Sequence, residues 1–85
     1  MKPYTVTWLP SAEDQLAECW LAATNKEEIR SAADSLETAL SRLPHNLGEE
    51  RSPGQRIAQV GPLVVLFEVR EEDRRVTVLR VKLRS

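Results

Sequence analysis

The cations near the end of the sequence are its most chemically suggestive feature. Arg80, Lys82 and Arg84 occupy every second position and alternate with apolar residues. A β-strand directs successive side chains to opposite faces, so this spacing predicts three cations on one face of a sheet. Guanidinium and ammonium groups hold phosphates and carboxylates, and they can stabilise charge that develops during phosphoryl transfer. The row is therefore a candidate for holding a phosphate or for rimming a surface where a partner docks.

A catalytic role for these cations is the chemical alternative. Cleavage of RNA by its own 2′-hydroxyl group needs positioning, charge stabilisation and proton transfer. The candidate catalytic residues are Arg56, Arg80, Lys82 and Arg84. No general acid or base is apparent, because the single histidine, His45, lies in a polar loop, where we expect an ordinary solvated residue. The sequence contains no Gly-rich phosphate loop, zinc-ligand spacing or nucleophile elbow, so we expect no cofactor and no metal.

The composition limits the size, class and location of the protein. We expect one domain, residues 1–85, because neither half alone could bury a usable core. A hydrophobic content of 41% is typical of a globular chain, and no apolar run is long enough to span a membrane. A single cysteine, Cys19, and the lack of a secretion signal predict a cytoplasmic protein without membrane contact. The net charge of −1 argues against a strong nucleic-acid binder, since such proteins usually carry a large basic excess.

Two amphipathic segments predict a helical hairpin. The first has apolar residues at spacings of three and four, and Ser11 is in the position of its N-cap, with Asp14 as its capping-box partner. Asn25 is the expected N-cap of the second helix, which ends before Pro44. The near absence of a linker predicts two antiparallel neighbours. The apolar stripes are Ala12, Leu16, Cys19, Trp20 and Ala23 in the first helix, and Ile29, Ala32, Ala33, Leu36, Leu40 and Leu43 in the second.

Four segments have the pattern of strands. Residues 4–9 precede the helices, and residues 56–60, 63–69 and 75–83 follow them. Residues 44–54 have the composition of a loop. Short connections between the last three segments predict an antiparallel meander. The predicted fold is α+β, with the order β-α-α-β-β-β and a two-helix hairpin packed on one face of an antiparallel sheet.

The second face of this sheet is predicted to be open, because so short a chain leaves no further element to cover it. Assigning the more apolar side of each strand to the helices places Leu79, Val81 and Leu83 in the core. An exposed apolar patch with a polar rim usually marks a site for a partner. The predicted partner-binding residues on the open face are Val64, Leu66, Val76, Val78, Arg80, Lys82 and Arg84. The alternative is a solvated face whose charges protect an edge strand against pairing.

Five segments carry a further signal: YTVTWLPSAEDQL, LETALSRLP, LGEERSPGQR, GPLVVLFEV and DRRVTVLRV. In their order and spacing, across essentially the whole chain, they resemble the RelE/ParE toxins of bacterial type II toxin–antitoxin systems. The resemblance implies a toxin neutralised by a cognate antitoxin, which wraps it with an extended or helical segment. It also implies one of two activities: RelE-like members cut messenger RNA within the ribosome, and ParE-like members inhibit DNA gyrase by binding.

Departures from the nuclease pattern favour the second activity. Val64 stands where the nucleases usually have an arginine, and Gln55 and Ile57 replace lysines. Tyr4, the only tyrosine, is expected to face the core. We therefore predict a toxin that inhibits growth by binding a macromolecular target, for which gyrase is the family-based candidate. A ribosome-dependent mRNA endoribonuclease is the first alternative, and a non-toxic module that retains only antitoxin binding is the second.

Overall fold

The order of elements in the structure matches the predicted α+β class. The computed structural model describes residues 3–84. Within them the chain forms β1 (Thr5–Trp8), α1 (Pro10–Ala22), α2 (Lys26–Arg42), a one-turn 3-10 helix (Pro44–Asn46), β2 (Glu49–Ser52), β3 (Gln55–Val60), β4 (Leu63–Arg70) and β5 (Arg75–Leu83). The predicted helical hairpin is confirmed. There is one strand more than predicted, because β2 forms within the segment whose composition indicated a loop.

The two helices begin for different reasons. The Asn25 side chain accepts a hydrogen bond from the backbone N–H of Glu28 at 3.2 Å, so the predicted cap of α2 is confirmed. The predicted Ser11 cap of α1 is wrong, since the helix already begins at Pro10 and Leu9 at its N-cap offers no side-chain hydrogen bond. Proline suits this position because its fixed φ matches a helix and no intrahelical N–H bond is lost there. No helix within residues 3–84 is long and apolar enough to span a membrane.

The five described strands form one sheet in the order β1-β5-β4-β3-β2. Neighbours from β2 to β5 are antiparallel, as predicted for the meander. At the edge, β1 pairs parallel to β5, with Val6 opposite Val76, so the sheet is mixed rather than antiparallel throughout. The period-2 pattern assigns residues to faces, but it does not fix the relative direction of strands that are far apart in the chain.

The two helices pack on different parts of the sheet. α2 contacts β1, β3 and β4, whereas α1 packs mainly against β5. Leu36 and Leu40 of α2 are fully buried, as are Leu63, Val65 and Phe67 of β4. Each large aliphatic side chain withdrawn from water contributes about 1.5–3 kcal/mol, against the entropy cost of ordering it. This layer of α2 on β4 is the centre of the core.

An irregularity between β4 and β5 moves two predicted surface residues into the core. Leu66 pairs with Arg80, whereas the following residue of β4 pairs with Val78, so β5 accommodates one extra residue, Leu79. The extra residue reverses the alternation in the first half of β5. The prediction that Val76 and Val78 lie on the open face is therefore wrong, because both are fully buried. Leu79, which was predicted to be in the core, is only half-buried.

Candidate partner-binding surfaces

The sheet face opposite α2 contains a concave site, which we call the sheet groove. It encloses about 440 Å³. Ile57, Val64 and Leu66, three half-buried residues of β3 and β4, form its apolar floor. Three cations from β2 and β5 surround this floor. The lining residues are Gln15, Arg51, Ile57, Val64, Leu66, Arg80, Val81 and Lys82.

Strand pairing explains why these side chains meet. Leu66 lies between Ile57 of β3 and Arg80 of β5, and Val64 lies opposite Lys82. Residues directly opposite each other on neighbouring strands point to the same face of a sheet. The predicted placement of Val64, Leu66, Arg80 and Lys82 on one open face is therefore confirmed, whereas their role in binding stays a prediction.

Gln15 connects α1 to the sheet groove. β1 ends at Trp8, and α1 packs against β5. The side-chain oxygen Oε1 of Gln15 accepts a hydrogen bond from the backbone N–H of Val81 at 2.8 Å. This bond fixes the strand between Arg80 and Lys82. No spacing in the sequence indicates the contact, because the two bonded residues are 66 positions apart.

The cations of the sheet groove have no ionic partner within residues 3–84. Arg51, Arg80 and Lys82 take part in none of the ion pairs found there. Among the described residues, the groove lining also contains no Asp, Glu, His or Tyr. Unpaired guanidinium and ammonium groups keep their hydrogen-bonding capacity for an external anion. The described residues of the groove can therefore bind and orient an anion, but they offer no carboxylate, imidazole or phenol for proton transfer.

Two of the predicted cations lie outside this groove. Arg56 faces the other side of β3, where its guanidinium donates to the carbonyl oxygens of Leu47 at 2.9 Å and Gly48 at 2.8 Å. The prediction that Arg56 joins the other candidate catalytic cations is wrong, because the alternation of β3 directs its side chain away from them. Arg84 is exposed just beyond β5, and its backbone N–H donates to the carbonyl oxygen of Pro62 at 2.7 Å.

A second concave site lies between α1 and α2, and we call it the helix groove. Its volume is about 670 Å³. Aromatic and aliphatic side chains line it, and two alanines leave space between the helices. Its charged residues are mainly acidic, with Arg30 as the one cation in the lining. The lining residues are Trp8, Glu13, Leu16, Ala17, Trp20, Ile29, Arg30, Ala33, Asp34 and Glu37.

Polar contacts hold the two tryptophans of the helix groove. The indole Nε1 of Trp8 donates a hydrogen bond to Oε1 of Glu37 at 2.9 Å. The guanidinium carbon of Arg30 lies 5.7 Å from the centre of the Trp20 ring, and Nζ of Lys26 lies 5.8 Å from it, both within the range of cation–π attraction. Trp20 packs against the core, as predicted, but remains partly exposed. The groove therefore presents positioned aromatic rings to solvent.

A polar cluster, which we call the Glu71 clasp, lies at the turn between β4 and β5. The hydroxyl of Tyr4 donates a hydrogen bond to the carboxylate of Glu71, at 2.9 Å from Oε1 and 2.7 Å from Oε2. Nε2 of His45 lies 2.7 Å from the same Oε2. Arg74 Nη1 lies 3.3 Å from the same carboxylate. The contact with His45 and the hydrogen bond from Tyr4 lower the pKa of Glu71, and that hydrogen bond also raises the pKa of Tyr4. His45 is exposed, as predicted, but Glu71 orients it, and neither His45 nor Tyr4 lines the sheet groove.

Comparisons with known proteins agree with this fold. Residues 6–85 match the family described as ParE toxin of type II toxin–antitoxin system, parDE. The RelBE2 toxin–antitoxin complex of Mycobacterium tuberculosis contains a chain with 26% identity and a TM-score of 0.79, and the match covers 99% of this chain and 94% of that one. No curated protein matches the sequence significantly.

Two more distant structures show the fold alone. The chromosomal ParDE system of Pseudomonas aeruginosa has a chain with 15% identity and a TM-score of 0.70, covering 96% of this chain and 97% of that one. The RelE–RelB complex of Pyrococcus horikoshii OT3 has a chain with 18% identity and a TM-score of 0.70, covering 96% of both. The family match extends over nearly the whole sequence, and the mixed sheet with its helical hairpin is the architecture of these toxins. The chain belongs to the ParE toxin family of type II toxin–antitoxin systems.

Proposed function

We propose that this toxin arrests growth by binding a macromolecular target through the sheet groove. The composition of the groove carries the proposal, since unpaired cations surround an aliphatic floor and the described lining contains no group suited to proton transfer. Exposed apolar surface with a polar rim usually serves a partner. Val64, Leu66, Arg80 and Lys82 are the proposed binding residues, with Arg84 beyond the end of β5.

Cleavage of mRNA is the less favoured mechanism. A nuclease needs a general acid or base within reach of its substrate, and His45 and Tyr4 are the obvious candidates. Both are engaged with Glu71 outside the groove, and the raised pKa of Tyr4 keeps its hydroxyl protonated at neutral pH. Val64, which stands where the nuclease pattern has an arginine, forms part of the aliphatic floor instead. These placements support binding rather than catalysis.

DNA gyrase is the target that we propose. The matching family is described as a ParE toxin, and the resemblance seen in the sequence assigns gyrase inhibition to ParE-like members. The ribosome with its mRNA is the alternative target, because RelE toxins share the fold. Either target implies that the protein acts in the cytoplasm.

Two assays with purified protein test the proposal. We expect inhibition of DNA supercoiling by gyrase, and we expect an intact message when primer extension follows cell-free translation. Arg80→Glu should relieve the inhibition, whereas Arg42→Glu, the same change of charge on α2, should not. Codon-phased cuts in the message that disappear in Arg84→Ala would identify a ribosome-dependent nuclease and refute the proposal.

We further propose that the helix groove binds the cognate antitoxin. Solved structures of similar fold include complexes of a toxin with its antitoxin. Here the helix groove is larger than the sheet groove and contains two tryptophans, a residue type that often dominates protein–protein affinity. The sheet face suits an antitoxin less well than predicted, because Val76 and Val78 belong to the core and leave a smaller exposed patch. Affinity measurements with a Trp20→Ala variant, described below, test this assignment.

A further inference from the structure

The aromatic residues of the protein are all on the helix side of the sheet. Trp8 and Trp20 line the helix groove, Phe67 is fully buried, and Tyr4 is nearly so. These four residues are the only aromatic ones in the sequence besides His45. The floor of the sheet groove is therefore aliphatic, although its rim is cationic.

This floor does not suit a nucleic acid. Proteins that bind single-stranded RNA or DNA combine a cationic groove with aromatic rings on which bases stack. Ile57, Val64 and Leu66 provide no such ring. The net charge of −1 also gives the whole protein no long-range attraction for a phosphate chain. Aliphatic side chains of another protein fit the floor better than bases do.

The rim of the groove offers cations at a defined spacing. Arg80 and Lys82 are separated by one residue on β5, so their Cα atoms lie about 7 Å apart. Both lack an ionic partner within residues 3–84. Gln15 lies beside them with its Oε1 already bonded to Val81, which leaves the two N–H donors of its side-chain amide for a ligand. Arg51 supplies a further cation across the floor.

We propose that the sheet groove binds an acidic segment of a protein partner, in which Asp or Glu alternates with Leu, Ile or Val. This inference rests on the proposed function and specifies the chemistry of the segment through which the target is bound. The aliphatic side chains of the segment cover Ile57, Val64 and Leu66. Its carboxylates pair with Arg80, Lys82 and Arg51, and the amide of Gln15 donates a hydrogen bond to one of them.

Fluorescence anisotropy with short labelled probes of equal length tests the inference directly. The probes are a peptide of alternating Glu and Leu, a Glu–Ser peptide, a Lys–Leu peptide and an oligouridine. We expect the Glu–Leu peptide to bind about tenfold more tightly than the Glu–Ser peptide, since only the former brings apolar surface to the floor. Arg80→Glu should abolish this binding, and Arg42→Glu should leave it unchanged.

Other outcomes overturn the inference. Tighter binding of oligouridine than of the Glu–Leu peptide would identify a nucleic-acid surface, and equal binding of the two glutamate peptides would show that the floor contributes nothing. Absence of binding by every probe would also refute it. The supercoiling assay tests the proposed function independently of the peptide assay. Inhibition of gyrase without binding of the Glu–Leu peptide would therefore contradict this inference and leave the proposed function standing.

Discussion

On one side of the sheet, Arg80 and Lys82 stand beside an aliphatic floor, while between the helices Glu13 and Glu37 stand beside two tryptophans. The sheet groove is thus cationic and free of aromatic rings, and the helix groove is mainly acidic and aromatic. The net charge of −1 conceals this separation, because it sums 12 basic and 13 acidic residues over the whole chain. A single small domain can therefore present surfaces of opposite character to two different partners.

The two grooves should also bind their partners through different kinds of interaction. Aromatic anchors provide affinity that depends little on salt, whereas exposed charges are screened as ionic strength rises. The pleat of β5 forms the cationic rim by placing Arg80 and Lys82 on one face. The small residues Ala17 and Ala33 open the space between the helices. Target binding is therefore expected to be the more salt-sensitive of the two interactions.

Arg80→Glu should have the largest effect, and it should change binding at the sheet groove alone. Reversing the charge removes a pairing group and repels the partner's carboxylate, so we expect target affinity to fall by about 2–5 kcal/mol. Growth arrest should be lost, and the free energy of unfolding should change by less than about 0.5 kcal/mol, since the side chain is exposed. Growth curves, calorimetric titration with the target and urea denaturation measure these quantities.

Arg42→Glu is the matched control for this variant, because it changes the charge equally at the end of α2. Antitoxin affinity should be the same in both variants. An equal loss of target affinity in the two would show that overall charge, rather than the sheet groove, governs the interaction.

Trp20→Ala should produce the converse result. Removing this ring from the wall of the helix groove should weaken antitoxin binding by about 2 kcal/mol, the usual threshold of an interface hot spot. Inhibition of the target should persist in the folded variant. Surface plasmon resonance with the antitoxin and a supercoiling assay measure the two effects.

Leu21→Ala supplies the comparison on the same helix. Leu21 is 76% exposed and is not part of the helix groove. Its replacement should leave antitoxin affinity nearly unchanged. Similar losses from both substitutions would mean that the antitoxin covers α1 broadly and does not depend on the groove.

Val76→Thr and Val64→Thr test which side of the sheet each valine occupies. Threonine has nearly the shape of valine but adds a hydroxyl, and burying that group without a partner costs about 1–3 kcal/mol. We expect this loss for Val76, which is fully buried, and a change within about 0.5 kcal/mol for Val64 on the open face. Urea denaturation of both variants checks the difference, and equal losses would contradict the register derived from the irregularity in β5.

These two valines also show where reasoning from sequence succeeds and fails. Alternation assigned Val64, Leu66, Arg80 and Lys82 to one face correctly, because strand geometry imposes it over an uninterrupted run. Val76 was misplaced because one extra residue shifts the alternation of β5, and neither a glycine nor a proline marks the position. β2 was missed for a different reason: all four of its residues are exposed and polar, so it has no apolar pattern to detect.

The contacts that shape the sites depend on folding rather than on local pattern. The hydrogen bond between Gln15 and Val81 joins residues 66 positions apart. The contact between His45 and Glu71 joins residues 26 positions apart. Arg56 was grouped with the other cations by residue type alone, and only the register of β3 shows that it faces away. The existence of both helices was predicted because their apolar stripes and the Asn25 cap are local signals. Their ends were predicted less well, since Ser11 does not cap α1 and Leu43, placed on the second stripe, lies beyond α2 and is 58% exposed.

Glu71→Gln should have the smallest effect, and it concerns a region that belongs to neither groove. In the folded protein the pKa of Glu71 lies below its ordinary value of 4.5, because His45 and Tyr4 bond to the ionised carboxylate. Folding is therefore favoured by this group above pH 4.5, and the contribution is lost as the pH falls through the lowered pKa of the folded state. The glutamine variant lacks this contribution, so its free energy of unfolding should vary less with pH in the acid range.

Urea denaturation at a series of pH values measures how steeply the free energy of unfolding changes with pH, and Glu72→Gln is the control in the same turn. Target and antitoxin affinities at neutral pH should match those of the unmodified protein, because the clasp lines neither groove. An equal dependence of the unfolding free energy on acid pH in the unmodified protein and both variants would show that the Glu71 clasp adds nothing to stability. A loss of target inhibition in Glu71→Gln would indicate that His45 and Tyr4 belong to the functional site.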